Sequence, residues 1–166
     1  MVNKNNIIKI LCFVAIIFCV QTTYAQTEKI SFTDVNLKLH DNSTVKLADL
    51  KGKVVLLDFW YRGCYACLKA MPDLIKLQEE FKDDLVIIGI NDFDDQQDVK
   101  DYFEYKKVNY LSTYKTDIDI SKGAKITAFP TTILYDKQGK LLQVDTGYSK
   151  AGIRQLKKAI KKALKV

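Results

Sequence analysis

A chain of 166 residues with 48% hydrophobic content can build one globular domain with a substantial core, and 7 Gly and 2 Pro supply no linker to divide it. The formal charge is +6, but Lys4 and Lys9 carry two of those charges and many other lysines crowd the last helix; this is too diffuse for a nucleic-acid reader, and no recognition motif accompanies it. Nor do the four cysteines make two staples: Cys12 and Cys19 sit in an apolar N-terminal run, leaving Cys64 and Cys67 as the pair in the folded domain.

Residues 1–25 have the three parts of a secretory signal. Lys4 and Lys9 supply positive charge, Ile10 to Val20 is an apolar run of 11 residues, and Thr23-Tyr24-Ala25 resembles a small-x-small cleavage site. The run falls short of the ~20 residues of a spanning helix, so cleavage before Gln26 is expected, with an uncut signal-anchor as the other reading. Cys12 follows Leu11 and Cys19 follows Phe18, neither a small residue as a lipobox requires. Either way residues 26–166 are expected to be exported, to the periplasm or beyond, where dithiols can be oxidised. Any membrane contact would come through an uncut N-terminal segment.

Val35, Leu37 and Leu39, then Val45 and Leu47, alternate on either side of Asp41-Asn42-Ser43, which predicts a hairpin. Lys53 to Phe59 is nearly continuously apolar and reads as a strand covered on both faces. The helix after Cys64 puts Cys67, Met71, Leu74, Ile75, Gln78 and Phe81 on one side, with Pro72 expected to kink it. Leu85 to Ile90 is a second buried strand. Asp94 or Asp95 can cap the next helix, whose inward stripe is Val99, Tyr102 and Phe103. A short helix over Ile118–Lys125, a hairpin of Thr131–Tyr135 and Lys140–Val144, and a final helix capped by Ser149 complete the order. That helix turns Ile153, Leu156, Ile160 and Leu164 inward, and its basic outer face reads as solvated rather than lipid-bound. The pattern predicts an α/β domain with helices on both faces of the sheet.

Disulfide exchange needs an accessible thiolate of lowered pKa and a second thiol to resolve the mixed disulfide. Cys64 stands at a helix start, where unpaired N–H groups and the positive end of the dipole favour the thiolate, and Arg62 is a second source of positive charge. Cys67 lies nearly a turn further in. Cys64 is therefore the candidate nucleophile and Cys67 the resolver. Zinc is disfavoured because the only histidine, His40, has no partner of its type in its hairpin turn. A structural disulfide closing so small a loop would stabilise little. Asp58 interrupts the apolar central strand; buried there, its pKa should rise towards the range of a proton acceptor for Cys67.

Asp58-Phe59-Trp60, Cys64 six residues after the aspartate, Pro72 five after Cys67 and the later Phe129-Pro130-Thr131-Thr132 together resemble the thioredoxin family. The N-terminal hairpin and the export signal make the exported TlpA/ResA-type branch the best match, over roughly residues 30–166. The resemblance implies a thioredoxin-like fold, a central mixed β-sheet flanked by helices with an N-terminal β-hairpin extension. It implies that Cys64 and Cys67 are the redox pair, Asp58 the buried acid and Pro130 a cis-proline. Trp60, Tyr65, Phe129 and Pro130 would border the substrate, Phe129 offering its backbone to an extended strand. Asp92 is a further acidic candidate at the end of the following strand. Gly63 and the intervening Tyr65-Ala66 depart from the common family residues, which makes them the expected seat of this chain's own specificity.

The function expected is an exported thiol:disulfide oxidoreductase acting as a reductant. Its partners would be disulfide-containing proteins and a membrane or periplasmic thiol electron donor. It is expected to be a monomer without metal or added cofactor. A thiol peroxidase on the same fold and a non-catalytic thiol-protein binding module are the alternatives; against the first, Tyr61 stands where peroxidases resemble one another in carrying threonine.

Overall fold

The computed structural model describes residues 35–165; the expected signal over 1–25, with Cys12 and Cys19, lies outside the described residues. The chain opens with a hairpin in which β1 (Asn36–Lys38) pairs antiparallel with β2 (Thr44–Lys46). Asp41 holds the turn, its Oδ1 accepting from Ser43 N–H at 2.9 Å and Ser43 Oγ at 2.6 Å. A 3-10 turn over Leu47–Leu50 leads to β3 (Val54–Phe59), followed by α1 (Tyr65–Glu80), β4 (Leu85–Ile90), α2 (Gln96–Lys106), β5 (Leu111–Ser112), α3 (Ile120–Gly123), β6 (Thr131–Tyr135), β7 (Leu141–Thr146) and α4 (Lys150–Ala163). The main sheet runs β5-β4-β3-β6-β7, parallel on the β4–β5 side of β3 and antiparallel on the β6–β7 side. Lying in the middle, β3 is buried at every position, which accounts for its unbroken apolar pattern.

Alternation along β3 divides the core in two. Val54, Leu56 and Trp60 pack with Cys67, Met71, Leu74 and Leu77 of α1, Val99 and Phe103 of α2, and Leu156 and Ile160 of α4. Val55, Leu57 and Phe59 meet Leu37, Leu39 and Leu47 of the hairpin region and Ala124 after α3. Helices therefore lie on both faces as expected, but unequally: three long ones on one side, and one short helix with the hairpin on the other. The sequence pattern does not announce β5, whose two residues are too few to show alternation. Pro72 sits inside α1, which continues through it to Glu80. Among the basic residues of α4, Lys157 pairs with Glu80 at 2.5 Å, joining that helix to the end of α1. His40, read as a turn residue, is buried, accepts Ser112 N–H on Nδ1 at 3.2 Å and stands edge-on to Phe103 with ring centroids 5.0 Å apart.

One cross-strand row carries Asp58, Gly89 and Ser112. Trp60 Nε1 donates to Ser112 Oγ at 2.9 Å directly above Gly89. A Cβ on Gly89 would stand 2.6 Å from that oxygen and 2.7 Å from that nitrogen, both held in the core. Gly89→Ala is therefore expected to destabilise the fold by about 1–3 kcal/mol, seen as a lower urea midpoint at unchanged slope.

Candidate active site

After Phe59 the chain keeps one more sheet-like bond, Trp60 N–H to Ile90 O at 3.0 Å, and then turns, Cys64 N–H donating to Tyr61 O at 3.1 Å. Cys64 is the N-cap of α1 and its Sγ accepts Cys67 N–H at 3.1 Å. Cys64 and Cys67 form a disulfide, S–S 2.02 Å with Cα atoms 5.3 Å apart. Cys64 is 7% exposed and Cys67 2%, so the first cysteine is the one nearer solvent.

Asp58 is 2% exposed, and its Oδ1 has no hydrogen-bond partner among the described residues. Desolvation pushes its pKa up from 3.8 to about 7. Strand alternation places it on the face of Leu56 and Trp60, the side against which α1 packs Cys67. The hydroxyl of Tyr110 in the same core cluster is likewise buried and unpartnered among the described residues. Burial, and next the charge of Asp58, push that phenol well above its ordinary range.

The Phe129–Pro130 bond is cis. Gly147 N–H donates to Pro130 O at 2.7 Å and Thr131 Oγ1 to Ala128 O at 2.8 Å, fixing this loop ahead of β6. The Phe129 ring lies 5.4 Å from Tyr61, and Pro130 lines a cavity of about 410 Å³ with Ala70 and Leu74 of α1. The fold thus brings the loop against Tyr61 and α1, which flank the disulfide, across more than sixty residues of sequence. Tyr65 is 71% exposed at the mouth of the site.

One expectation needs correction. Trp60, placed at the substrate surface, is wholly buried and spends its indole N–H on Ser112, so it braces the sheet. Asp92 ties β4 to α3, its Oδ2 accepting from Ser121 N–H at 2.8 Å and Ser121 Oγ at 2.6 Å.

Three features escape a reading of the sequence. Phe93, half exposed, joins Tyr61 and Phe129 in an aromatic ledge with centroids 5.0 to 5.4 Å apart. Arg62 is held by Asp94 and Asp98: its N–H donates to Asp94 Oδ2 at 2.7 Å, and its guanidinium lies 2.5 Å from Asp98 Oδ1. Asp73 of α1 accepts from Tyr148 at 2.8 Å and Lys150 at 2.7 Å; burial opposes its charge, but these bonds hold its pKa below the usual carboxylate value. The Asn91-x-Phe93-Asp94 spacing, an Asx turn, is the one readable signal for the first two.

Among the described residues no cluster of three or more His, Cys, Asp or Glu could hold a metal, and no helix is long and apolar enough to cross a membrane.

Residues 27–160 match the Redoxin family. The chain belongs to the Redoxin family. Thioredoxin-like protein YneN of Bacillus subtilis is 31% identical to this Redoxin chain over 117 residues, covering 69% of the chain and 68% of YneN. Thiol-disulfide oxidoreductase ResA of the same organism is 31% identical over 115 residues, covering 68% of the chain and 64% of ResA. The thioredoxin domain of a thiol-disulfide oxidoreductase from Bacteroides vulgatus superposes with a TM-score of 0.66 at 28% identity, over 76% of this chain and 92% of that domain. With its CxxC disulfide and thioredoxin-like sheet, this Redoxin chain is a thiol:disulfide oxidoreductase of the ResA type.

Proposed function

We propose that the chain is an exported reductant of protein disulfides. Residues 1–25 serve as the export signal, and Cys64 is the nucleophile. The observation that carries this reading is the position of Cys64 Sγ at the first turn of α1, accepting Cys67 N–H, with Cys67 behind it. In the dithiol form, the Cys64 thiolate attacks one sulfur of a substrate disulfide. That S–S bond breaks, a mixed disulfide forms, and the first substrate thiolate leaves and takes up a proton. Cys67 gives its proton to Asp58, whose raised pKa suits it to receive one near neutrality. The Cys67 thiolate then attacks Cys64 Sγ, closing the Cys64–Cys67 disulfide; the second substrate thiolate leaves and takes up a proton, and Asp58 gives up the one it took from Cys67. Two electrons and two protons have passed to the substrate, and an external dithiol donor restores the pair. Tyr65, Phe129 and Pro130 border the substrate strand, with Phe129 presenting its backbone to it.

The purified protein is expected to accelerate insulin reduction by dithiothreitol and to equilibrate with glutathione at a potential nearer the ~−270 mV of a reductant than the ~−120 mV of a strong oxidant. An inert protein would refute the redox reading. A potential at the oxidising end would reverse its direction, and peroxide turnover without insulin reduction would favour the peroxidase alternative. Cell fractionation tests export.

A further inference from the structure

Arg62 stands two residues before Cys64, where a free guanidinium would support the thiolate and so favour the dithiol form. Its guanidinium is instead engaged by two carboxylates. Nη1 is 2.5 Å from Asp98 Oδ1 at the start of α2, and Nε is 3.9 Å from Asp94 Oδ1. The backbone is tied to the same carboxylate, Arg62 N–H donating to Asp94 Oδ2 at 2.7 Å. Asp94 is itself held from the core. Asn91, fully buried, donates from Nδ2 to Asp94 Oδ2 at 2.8 Å and accepts the N–H groups of Phe93 and Asp94 at 2.9 Å each. Asn91 N–H in turn donates to Thr113 Oγ1 at 2.8 Å, and Lys115 N–H to Asp94 O at 2.9 Å. This is a preorganised receptor for Arg62, unlike a chance pair of surface side chains.

We propose that Asp94 and Asp98 form a counter-ion clamp that keeps the charge of Arg62 away from Cys64 and so biases the pair towards a reducing potential. Both are positioning residues acting through Arg62. The inference rests on the reductant reading and supplies a physical basis for its direction. Reducing the disulfide takes two electrons and two protons, and a cation beside the product thiolate would stabilise the dithiol state and raise the potential. The clamp withholds that cation and leaves two carboxylates against one guanidinium. Of the other charges, Lys69 of α1 lies 4.6 Å from the centre of the Tyr65 ring, Lys150 of α4 is bonded to Asp73, and Asp92 is bonded to Ser121 through Oδ2 while its Oδ1 is buried without a partner among the described residues. Asp58 of β3 is buried, and Asp95 stands at the N-cap position of α2 without a side-chain cap bond.

The test is a mutant cycle in the full-length protein at low ionic strength. In the double variant Asp94→Asn with Asp98→Asn, the amide oxygen introduced at position 94 still accepts Arg62 N–H, so the loop keeps its tether while the clamp loses its charge. The Cys64 thiol pKa, followed by thiolate absorbance, is expected to fall by about half a unit, and the glutathione equilibrium to move about threefold towards the dithiol. Adding Arg62→Gln should return both readouts most of the way, and Arg62→Gln should act more strongly in the double variant than in the parent. Equal effects of Arg62→Gln in both backgrounds, or no shift in the double variant, would overturn the clamp. Asp98→Asn alone, at a half-exposed position that leaves the Asp94 bonds intact, should shift both readouts in the same direction and guards against a folding failure of the double variant. The shifts should shrink in salt, since these groups are partly exposed. If wild type fails to reduce insulin while the cycle behaves as stated, the reductant reading falls and the clamp stands.

Discussion

Cys64→Ser is expected to bring insulin reduction down to the background of the reductant alone, whereas Cys67→Ser should still attack and then stall as a stable mixed disulfide. The difference follows from position. Cys64 Sγ caps α1 and lies nearer solvent, so its thiolate is both supported by helix N–H groups and able to reach a partner. Cys67 at 2% exposure can reach Cys64 but has little access to an outside sulfur. Mass spectrometry of each single-cysteine variant incubated with a disulfide-bonded substrate distinguishes the two. Trapped adduct on Cys67→Ser but not on Cys64→Ser is the expected pattern; the opposite pattern would exchange their roles.

The second large effect concerns stability. Asp58 is buried, with its pKa raised from 3.8 to about 7. The unfolded carboxyl releases its proton near pH 4, while the folded one keeps it up to about 7. Between those values folding takes up a proton, so stability falls as pH rises through the window and stays lower above it. The full loss is on the order of 4 kcal/mol. Asp58→Asn cannot ionise and escapes this loss. The oxidised variant should therefore be more stable than wild type by a few kcal/mol at about pH 8, with the gain vanishing towards about pH 4. Urea unfolding at the two pH values measures it. A gain equal at both would mean that packing, and not ionisation, separates the two proteins. The same variant should slow insulin reduction, because it lacks the group assigned to take the proton of Cys67.

The elements that can be read from sequence are those whose signal is local and repeated. The six residues of β3 announce themselves because both sides of the strand are covered, and α4 because its inward residues recur at helical spacing. The pair Cys64–Cys67 is legible for a similar reason, since helix geometry alone brings the two sulfurs together. Trp60 is misplaced by its sequence context because an aromatic beside a redox motif gives no hint of which way it faces; only the Ser112 hydroxyl, 52 residues later, decides that. Arg62 reads as a support for the thiolate because no carboxylate lies within three residues of it in sequence. Its partners come from the β4–α2 connection and the first turn of α2, and enter only when α2 docks. Strand β5 escapes because pairing with β4, and not composition, makes those two residues a strand.

The order of the strands also has a consequence in time. The cysteines emerge with β3 and α1, but the strand on the other side of β3, together with Phe129 and Pro130, follows more than sixty residues later. A chain crossing a membrane from its N-terminus would present both thiols to an oxidising compartment before the loop that borders them existed. During that interval only Gly63, Tyr65 and Ala66 of the motif itself could choose among passing disulfides. The newborn pair would meet oxidants at a helix end, and the contribution of Phe129 and Pro130 would begin only once β6 slots in beside β3.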